Sequence, residues 1–217
     1  MGNRTLQAVF FDFDGVIVDS NRTKAEAFRT LFHGYDDKVI AEIVDYHYQH
    51  GGISRVVKIE HAHRTIIGKP LTEAELASWA ARYRCLVIEQ VISVDWIVGA
   101  QLALKKLYTR VPIFVISGTP EEELVEVIER RGITEYFTEI AGSPTQKSIH
   151  IRRLLSKYTL TPDRCVFVGD STTDYDAAQE TGLFFIGIRG DIPFPVGTTV
   201  LADCGLLIDT LSAHFVV

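Results

Sequence analysis

The sequence predicts an α/β protein: a doubly wound parallel sheet, interrupted just after its first strand by an inserted α-helical cap domain. Three observations carry this prediction. Val9, Phe10 and Phe11 form a short apolar run fit for a buried strand and closed by carboxylates. From Val111 onward, similar short runs alternate with helical segments. Between the two, residues 21–95 show helical periodicity and no convincing strand pattern. Alternating strand and helix implies right-handed crossovers and a parallel sheet covered on both faces. The expected organisation is therefore an α/β core made of residues 1–20 and 96–217, with residues 21–95 as the helical cap.

Taken in order, "AVFF" is the opening strand. In the insert, Ala25, Phe28 and Leu31 with Phe32 make one apolar stripe, Ile40 with Ile43 and Val44 a second, and Leu76 with Trp79, Ala80 and Tyr83 a third. Gly51-Gly52 and Gly68-Lys69-Pro70 separate these helices. The core resumes with "VPIFVIS", then the helical "PEEELVEVIERRG", the strand "FTEIAGS", the helical "QKSIHIRRLLSKY", the strand "CVFVGD", the helical "DYDAAQETG" and the strand "FFIGIRG". Thr119-Pro120-Glu121-Glu122 has the residue types of a helix start, with Thr119 as N-cap, so that its hydroxyl reads equally as structural or as part of a site.

Composition narrows the function classes. The chain has 217 residues, 47% hydrophobic and 23% charged, enough to bury a sizeable core. A net charge of −6 argues against a nucleic-acid backbone or an anionic membrane as partner. No stretch approaches the roughly 20 apolar residues of a membrane span, and the N-terminus reaches charged residues too soon for a secretory signal. Gly2 and Thr5 match a myristoylation consensus only faintly, since the sixth position lacks Ser or Thr. Cys85, Cys165 and Cys204 are widely spaced and odd in number, which suggests neither a disulfide framework nor a zinc ribbon. A cytoplasmic protein is expected.

In open α/β sheets the ligand site lies beyond the carboxyl ends of the strands. Asp12 and Asp14 end the first strand, Ser117 with Gly118 and Thr119 ends "VPIFVIS", and Asp170 ends "CVFVG", with Asp174 one turn further. Asp14-Gly15 alone would read as a solvated turn. Two carboxylates beside an apolar strand repel and lose hydration, so a cation is expected there. Lys147 opens its helix on the stripe of Ile151, Leu154 and Tyr158, where the helix dipole disfavours a cation unless an anion is near. A magnesium ion held by Asp12 and Asp170, with Asp174 nearby, would let these acids coexist. Ser117 and the backbone N–H groups around Gly118 and Thr119 would cradle phosphate oxygens.

"DFDGV", the serine of "VISGT", Lys147 and "GDSTTD", in this order, resemble the four motifs of the haloacid dehalogenase superfamily, and the insert resembles its helical cap. The resemblance implies that Asp12 is the nucleophile, forming an aspartyl-phosphate, and that Asp14 is the general acid and then the general base. Ser117, Gly118 and Lys147 would bind the phosphoryl group, and Asp12, Asp14, Asp170 and Asp174 would surround the metal. Asp14 has to be protonated to serve the leaving alkoxide, and crowding of acids is expected to raise its pKa. The dehalogenases and phosphonatases of the superfamily lack this second aspartate, which sets their reactions aside.

The cap stretch "GGISRVVK" is similar to that of the β-phosphoglucomutases, where an arginine after Gly-x-Ser pairs with a second anionic group of the substrate. Arg55 is the matching residue, and Lys58 a further contact. The plainer reading has Ser54 capping a helix, with Arg55 and Lys58 facing water. Lys24 stands where those mutases place a histidine, which favours a phosphatase over a mutase and makes Lys24 either a surface lysine or a substrate contact. The cap histidines His47, His50, His61 and His63 suggest zinc only weakly, because His61 and His63 would diverge on a helix. The expected activity is magnesium-dependent hydrolysis of a small phosphorylated metabolite, a sugar phosphate or a phosphoglycolate-like acid. The alternatives are a phosphosugar mutase and a non-catalytic binding protein on the same scaffold, although a chain without turnover has no need to hold four carboxylates together.

Overall fold

The computed structural model describes residues 4–216, so Gly2 of the faint myristoylation match lies outside the described residues. In chain order the elements are β1 (Arg4–Thr5), β2 (Ala8–Phe11), α1 (Asn21–Leu31), α2 (Asp37–Gln49), α3 (Arg55–His61), α4 (Glu73–Ser93) and α5 (Ala100–Leu107). They continue with β3 (Ile113–Pro120), α6 (Glu121–Arg130), β4 (Glu139–Ser143), α7 (Lys147–Lys157), β5 (Cys165–Gly169) and α8 (Thr172–Thr181). The chain closes with β6 (Phe184–Ile188), β7 (Thr199–Leu201), α9 (Leu207–His214) and β8 (Phe215–Val216).

Six strands form a parallel sheet in the order β4-β3-β2-β5-β6-β7, and β1 pairs with β8 separately. Alternating side chains of β2 enter different cores: Val9 and Phe11 join one apolar cluster, Ala8 and Phe10 the other. That double burial is why the strand is a continuous apolar run. Burying side chains of this size stabilises the fold by about 1.5–3 kcal/mol each. The chain moves outward from β2 to β3 and β4, then returns to β5 on the other side of β2. The reversal between β2 and β5 is a topological switch point, where crossovers diverge and leave a crevice.

Helices α1 to α4 form the insert between β2 and β3, with α1 packed on α2 and α4, and α3 on α4. Their shared interior is aromatic: the Phe28 ring lies 4.5 Å from Tyr83, and Phe32 stacks on Trp79 at 4.9 Å. The chain enters and leaves the insert side by side, with the Asp19 N–H donating to the Asp95 carbonyl at 2.9 Å and the Ile97 N–H to the Ile17 carbonyl at 3.0 Å. Arg131, just past α6, donates to the carbonyls of Val91, Ile92 and Val94, closing the C-terminal end of α4 against the core. No helix among the described residues is long and apolar enough to cross a membrane.

One local expectation fails. Strand β3 continues to Pro120 and α6 starts at Glu121 without a side-chain cap, so Thr119 is not an N-cap. Its hydroxyl is used elsewhere.

Candidate active site

The site lies at the switch point. Asp12 follows β2 directly, and its N–H still donates to the Val168 carbonyl of β5 at 2.9 Å, which fixes its backbone to the sheet. Its Oδ1 accepts from the Phe13 N–H at 2.7 Å, and Oδ2 lies 3.0 Å from the Lys147 ammonium. Asp170 follows β5 directly, and its Oδ2 accepts from the Asn21 amide at 2.7 Å. Gly15 passes so near that an added Cβ would stand 2.0 Å from Asp170 Oδ2, and its φ of +74° suits glycine. Asp174 is fully buried as the third residue of α8, where it completes a capping box with Ser171. It also accepts from Lys147 at 2.5 Å. Lys147 occupies the first position of α7 with two carboxylates as the anions its location demands.

Asp12, Asp170 and Asp174 each offer an oxygen within 4.8 Å of the others. Burial raises the Asp12 pKa well above its ordinary value, and the neighbouring Asp174, Asp170 and Asp14 add to this, while Lys147 offsets only part. Asp170 is raised in the same way, by burial and then by Asp174. Burial alone would lower Lys147, but Asp12 and Asp174 outweigh it and push its pKa up. One ammonium among three buried carboxylates leaves negative charge uncompensated. This is a donor set of hard oxygens that fits magnesium.

Asp14, expected among the carboxylates around the metal, stands outside this group. Its Oδ1 accepts from the Ser20 hydroxyl at 2.6 Å, and its Oδ2 accepts from Ser117 at 3.2 Å, Thr119 at 3.0 Å and the Lys24 ammonium at 2.5 Å. Its pKa shift runs opposite to the upward one expected. Burial does push Asp14 up, but the Lys24 charge and the hydrogen bonds from Lys24, Ser20 and Thr119 prevail and hold it at about 2. Lys24 is thus no surface lysine: it bridges Asp14 and, at 2.8 Å, Thr119.

Ser117 lines the same cavity and accepts from the Thr119 N–H at 3.1 Å. Gly118 forms part of the wall beneath the insert, with the Gly52 carbonyl so close that an added Cβ would lie 2.3 Å from it. From the other side of this loop the Thr173 hydroxyl donates to the Gly51 carbonyl at 3.1 Å. The insert therefore lies closed over the strand ends.

Ser54 caps α3, as the plainer reading had it, yet Arg55 and Lys58 are buried and face the cavity instead of water. Arg55 is taken by a partner that the sequence did not announce: Glu123 of α6 accepts from both terminal guanidinium nitrogens, at 2.8 and 2.5 Å. Lys58 donates to His47, at 3.0 Å from Nδ1 and 3.1 Å from its carbonyl. Burial lowers His47 to about 2, assisted by Lys58 and Lys24, so its ring is neutral. The other cap histidines serve packing: His50 and His61 stack on Tyr46, and His63 packs on Trp79.

Ser20, Asn21 and Glu123 are the site residues that sequence reasoning passed over. "DSN" after the first strand is a polar run that reads only as a connection. Glu123 did carry a signal, since it lies on the stripe of Val127 in α6, a buried face where a lone carboxylate requires a partner.

A family model described as "Haloacid dehalogenase-like hydrolase" matches residues 9–188. The phosphoglycolate phosphatase of Colwellia psychrerythraea is 26% identical over 192 residues, covering 84% of either chain. Among solved structures, a predicted phosphoglycolate phosphatase from Haemophilus somnus superposes with a TM-score of 0.77 at 20% identity, over 94% of this chain and 97% of the other. A β-phosphoglucomutase from Clostridium difficile gives 0.74 at 18% identity, over 97% of both.

Proposed function

Since the chain belongs to the haloacid dehalogenase-like hydrolases, we propose that it is a magnesium-dependent phosphomonoesterase of short metabolites, working through an aspartyl-phosphate on Asp12. The observation that carries this reading is the position of Asp12: a buried carboxylate at the switch point, 3.0 Å from Lys147 and grouped with Asp170 and Asp174. A carboxylate attacks a phosphate dianion only where positive charge offsets their repulsion. Magnesium, when bound by Asp12, Asp170 and Asp174, would supply part of that charge. Lys147 supplies the rest and, with Ser117 and the Gly118 backbone, orients the phosphoryl oxygens.

Asp12 Oδ attacks phosphorus, the ester bond breaks, and the leaving alkoxide takes a proton from Asp14. Water then attacks the aspartyl-phosphate while Asp14 accepts the water's proton, which releases inorganic phosphate and restores Asp12. Asp14 at about 2 is ready for the second role. For the first it must gain a proton, and an incoming phosphate dianion favours this by raising the proton affinity of Asp14 and drawing the Lys24 ammonium toward itself. The closed insert excludes water during the first step.

The relatives named phosphoglycolate phosphatase support a small phosphorylated acid or sugar as substrate. The test is phosphate release from a panel of phosphorylated sugars, short organic acids and nucleotides, with and without magnesium, and with Asp12→Asn as control. Magnesium-dependent release concentrated on one short class is expected. Absence of release from all of them by folded enzyme overturns the reading.

A further inference from the structure

The insert meets the core along α4 and α6, and the polar contacts there run in order from the hinge, where the chain enters and leaves the insert, to the cavity. At the hinge end Arg131 donates to the carbonyls of Val91, Ile92 and Val94. Next, Arg130 donates to Glu89 through both terminal nitrogens, at 2.7 and 2.8 Å, and Arg84 meets Glu126. At the cavity end Glu123 holds Arg55, itself part of the cavity wall. Burial rises along this seam: Glu89 is 69% exposed and Glu126 35%, whereas Arg55 and Glu123 are 5% each. Water screens the outer pairs, which therefore do little to hold two surfaces together. The inner pair behaves differently. Drawn slightly apart with the insert still down, it strands two charges in a dry interface. Drawn fully apart, both charges regain water. Intermediate positions are disfavoured, so the pair gives the insert two distinct positions.

We propose that Arg55 and Glu123 are an internal latch: paired, they hold the insert down over Asp12, and separated they release it to swing about the Arg131 end of the seam. Both partners belong to the chain itself, so the latch closes without help from the charge of a ligand. It stands whether or not Asp12 acts on phosphate esters. The Tyr83 ring, 4.8 Å from the guanidinium, adds a cation–π contact that exists only while the insert is down on Glu123. Lys24 and Asn21, which also reach core carboxylates, stand on the first turn of α1 beside the hinge, where a swing moves them least. Farther out the contacts across the boundary are neutral: Thr173 to the Gly51 carbonyl at 3.1 Å, and the hydroxyls of Ser143 and Ser54 at 3.4 Å.

The experiment reads opening without using activity. Ser143 ends β4, is 8% exposed and lies beneath Ser54 of the insert. Ser143→Cys places a thiol there that N-ethylmaleimide reaches when the insert lifts, so the labelling rate follows the open fraction. It is combined with Cys85→Ser, because Cys85 is exposed, while the buried Cys165 and Cys204 remain as monitors of global unfolding. In this background Glu123→Gln should speed labelling at position 143 by about 10-fold or more, since it strands the Arg55 charge whenever the insert is down. Glu126→Gln, which removes an outer pair, should change the rate by less than about twofold. Arg55→Met/Glu123→Leu leaves no charge to strand and should bring the rate back close to that of the background. Cys165 and Cys204 should stay unlabelled throughout. An unchanged rate in Glu123→Gln, an equal acceleration in Glu126→Gln, a double variant as fast as Glu123→Gln, or labelling of Cys165 in step with position 143 each overturns the latch.

Discussion

Arg55 of α3 and Glu123 of α6 form a two-point ion pair at 2.8 and 2.5 Å, with both side chains 5% exposed, across the boundary between insert and sheet. The guanidinium also lies 4.8 Å above the Tyr83 ring. Around this pair, Arg84 meets Glu126 and Arg130 meets Glu89, so α6 is the face on which the insert docks.

Removing one partner of a buried pair leaves an uncompensated charge, whereas removing both does not. Glu123→Ala should therefore cost about 3–5 kcal/mol in urea unfolding, and the double variant Arg55→Met/Glu123→Leu should cost clearly less. An unchanged denaturation midpoint for Glu123→Ala would contradict the role given to the pair.

Lys24 and Asp14 give a pH dependence with a definite sign. The Asp14 pKa is lowered from 3.8 to about 2, so its contribution is fully present above pH 3.8 and is lost as pH falls through about 2. The shift corresponds to about 2 kcal/mol. Lys24→Met leaves the burial of Asp14 unopposed by that charge, so it should lower stability by at least about that amount at pH 7, and the gap from wild type should close as pH falls to about 2. A carbon NMR titration should find the Asp14 carboxyl raised in the variant, and an unmoved Asp14 would sink the account.

Lys58 has the opposite sign. Its pKa is lowered from 10.5 to about 7, so below pH 7 the fold carries a buried cation at a cost, and that cost fades as pH rises from about 7 to 10.5. Lys58→Met should be more stable than wild type at pH 6, by roughly 1–4 kcal/mol, with the advantage shrinking above pH 7. A variant less stable than wild type at pH 6 would show that the ammonium is already compensated.

The sheet and the strand-end acids were legible because their signals are local. A run such as Val9–Phe11 buried on both faces has to be apolar, and an acid at its end is visible in the next letter. Lys147 was legible from its stripe and its place at a helix start. Asp14 was misjudged because its pKa depends on Lys24, ten residues further along and brought beside it only by the turn into α1. The partner of Arg55 was hidden for the same reason: Glu123 is 68 residues away, and spacing carries no information on which surfaces of two packed units will meet.

The central claim is a covalent phosphoryl group on Asp12. The most direct measurement is mass spectrometry of peptides from enzyme mixed briefly with its preferred ester and magnesium, then quenched in acid. The account predicts one added phosphoryl group on the peptide containing Asp12 in wild type, and neither that adduct nor turnover in folded Asp12→Asn, whose rate should drop roughly 10⁴-fold or more. Near-normal phosphate release by Asp12→Asn would contradict it.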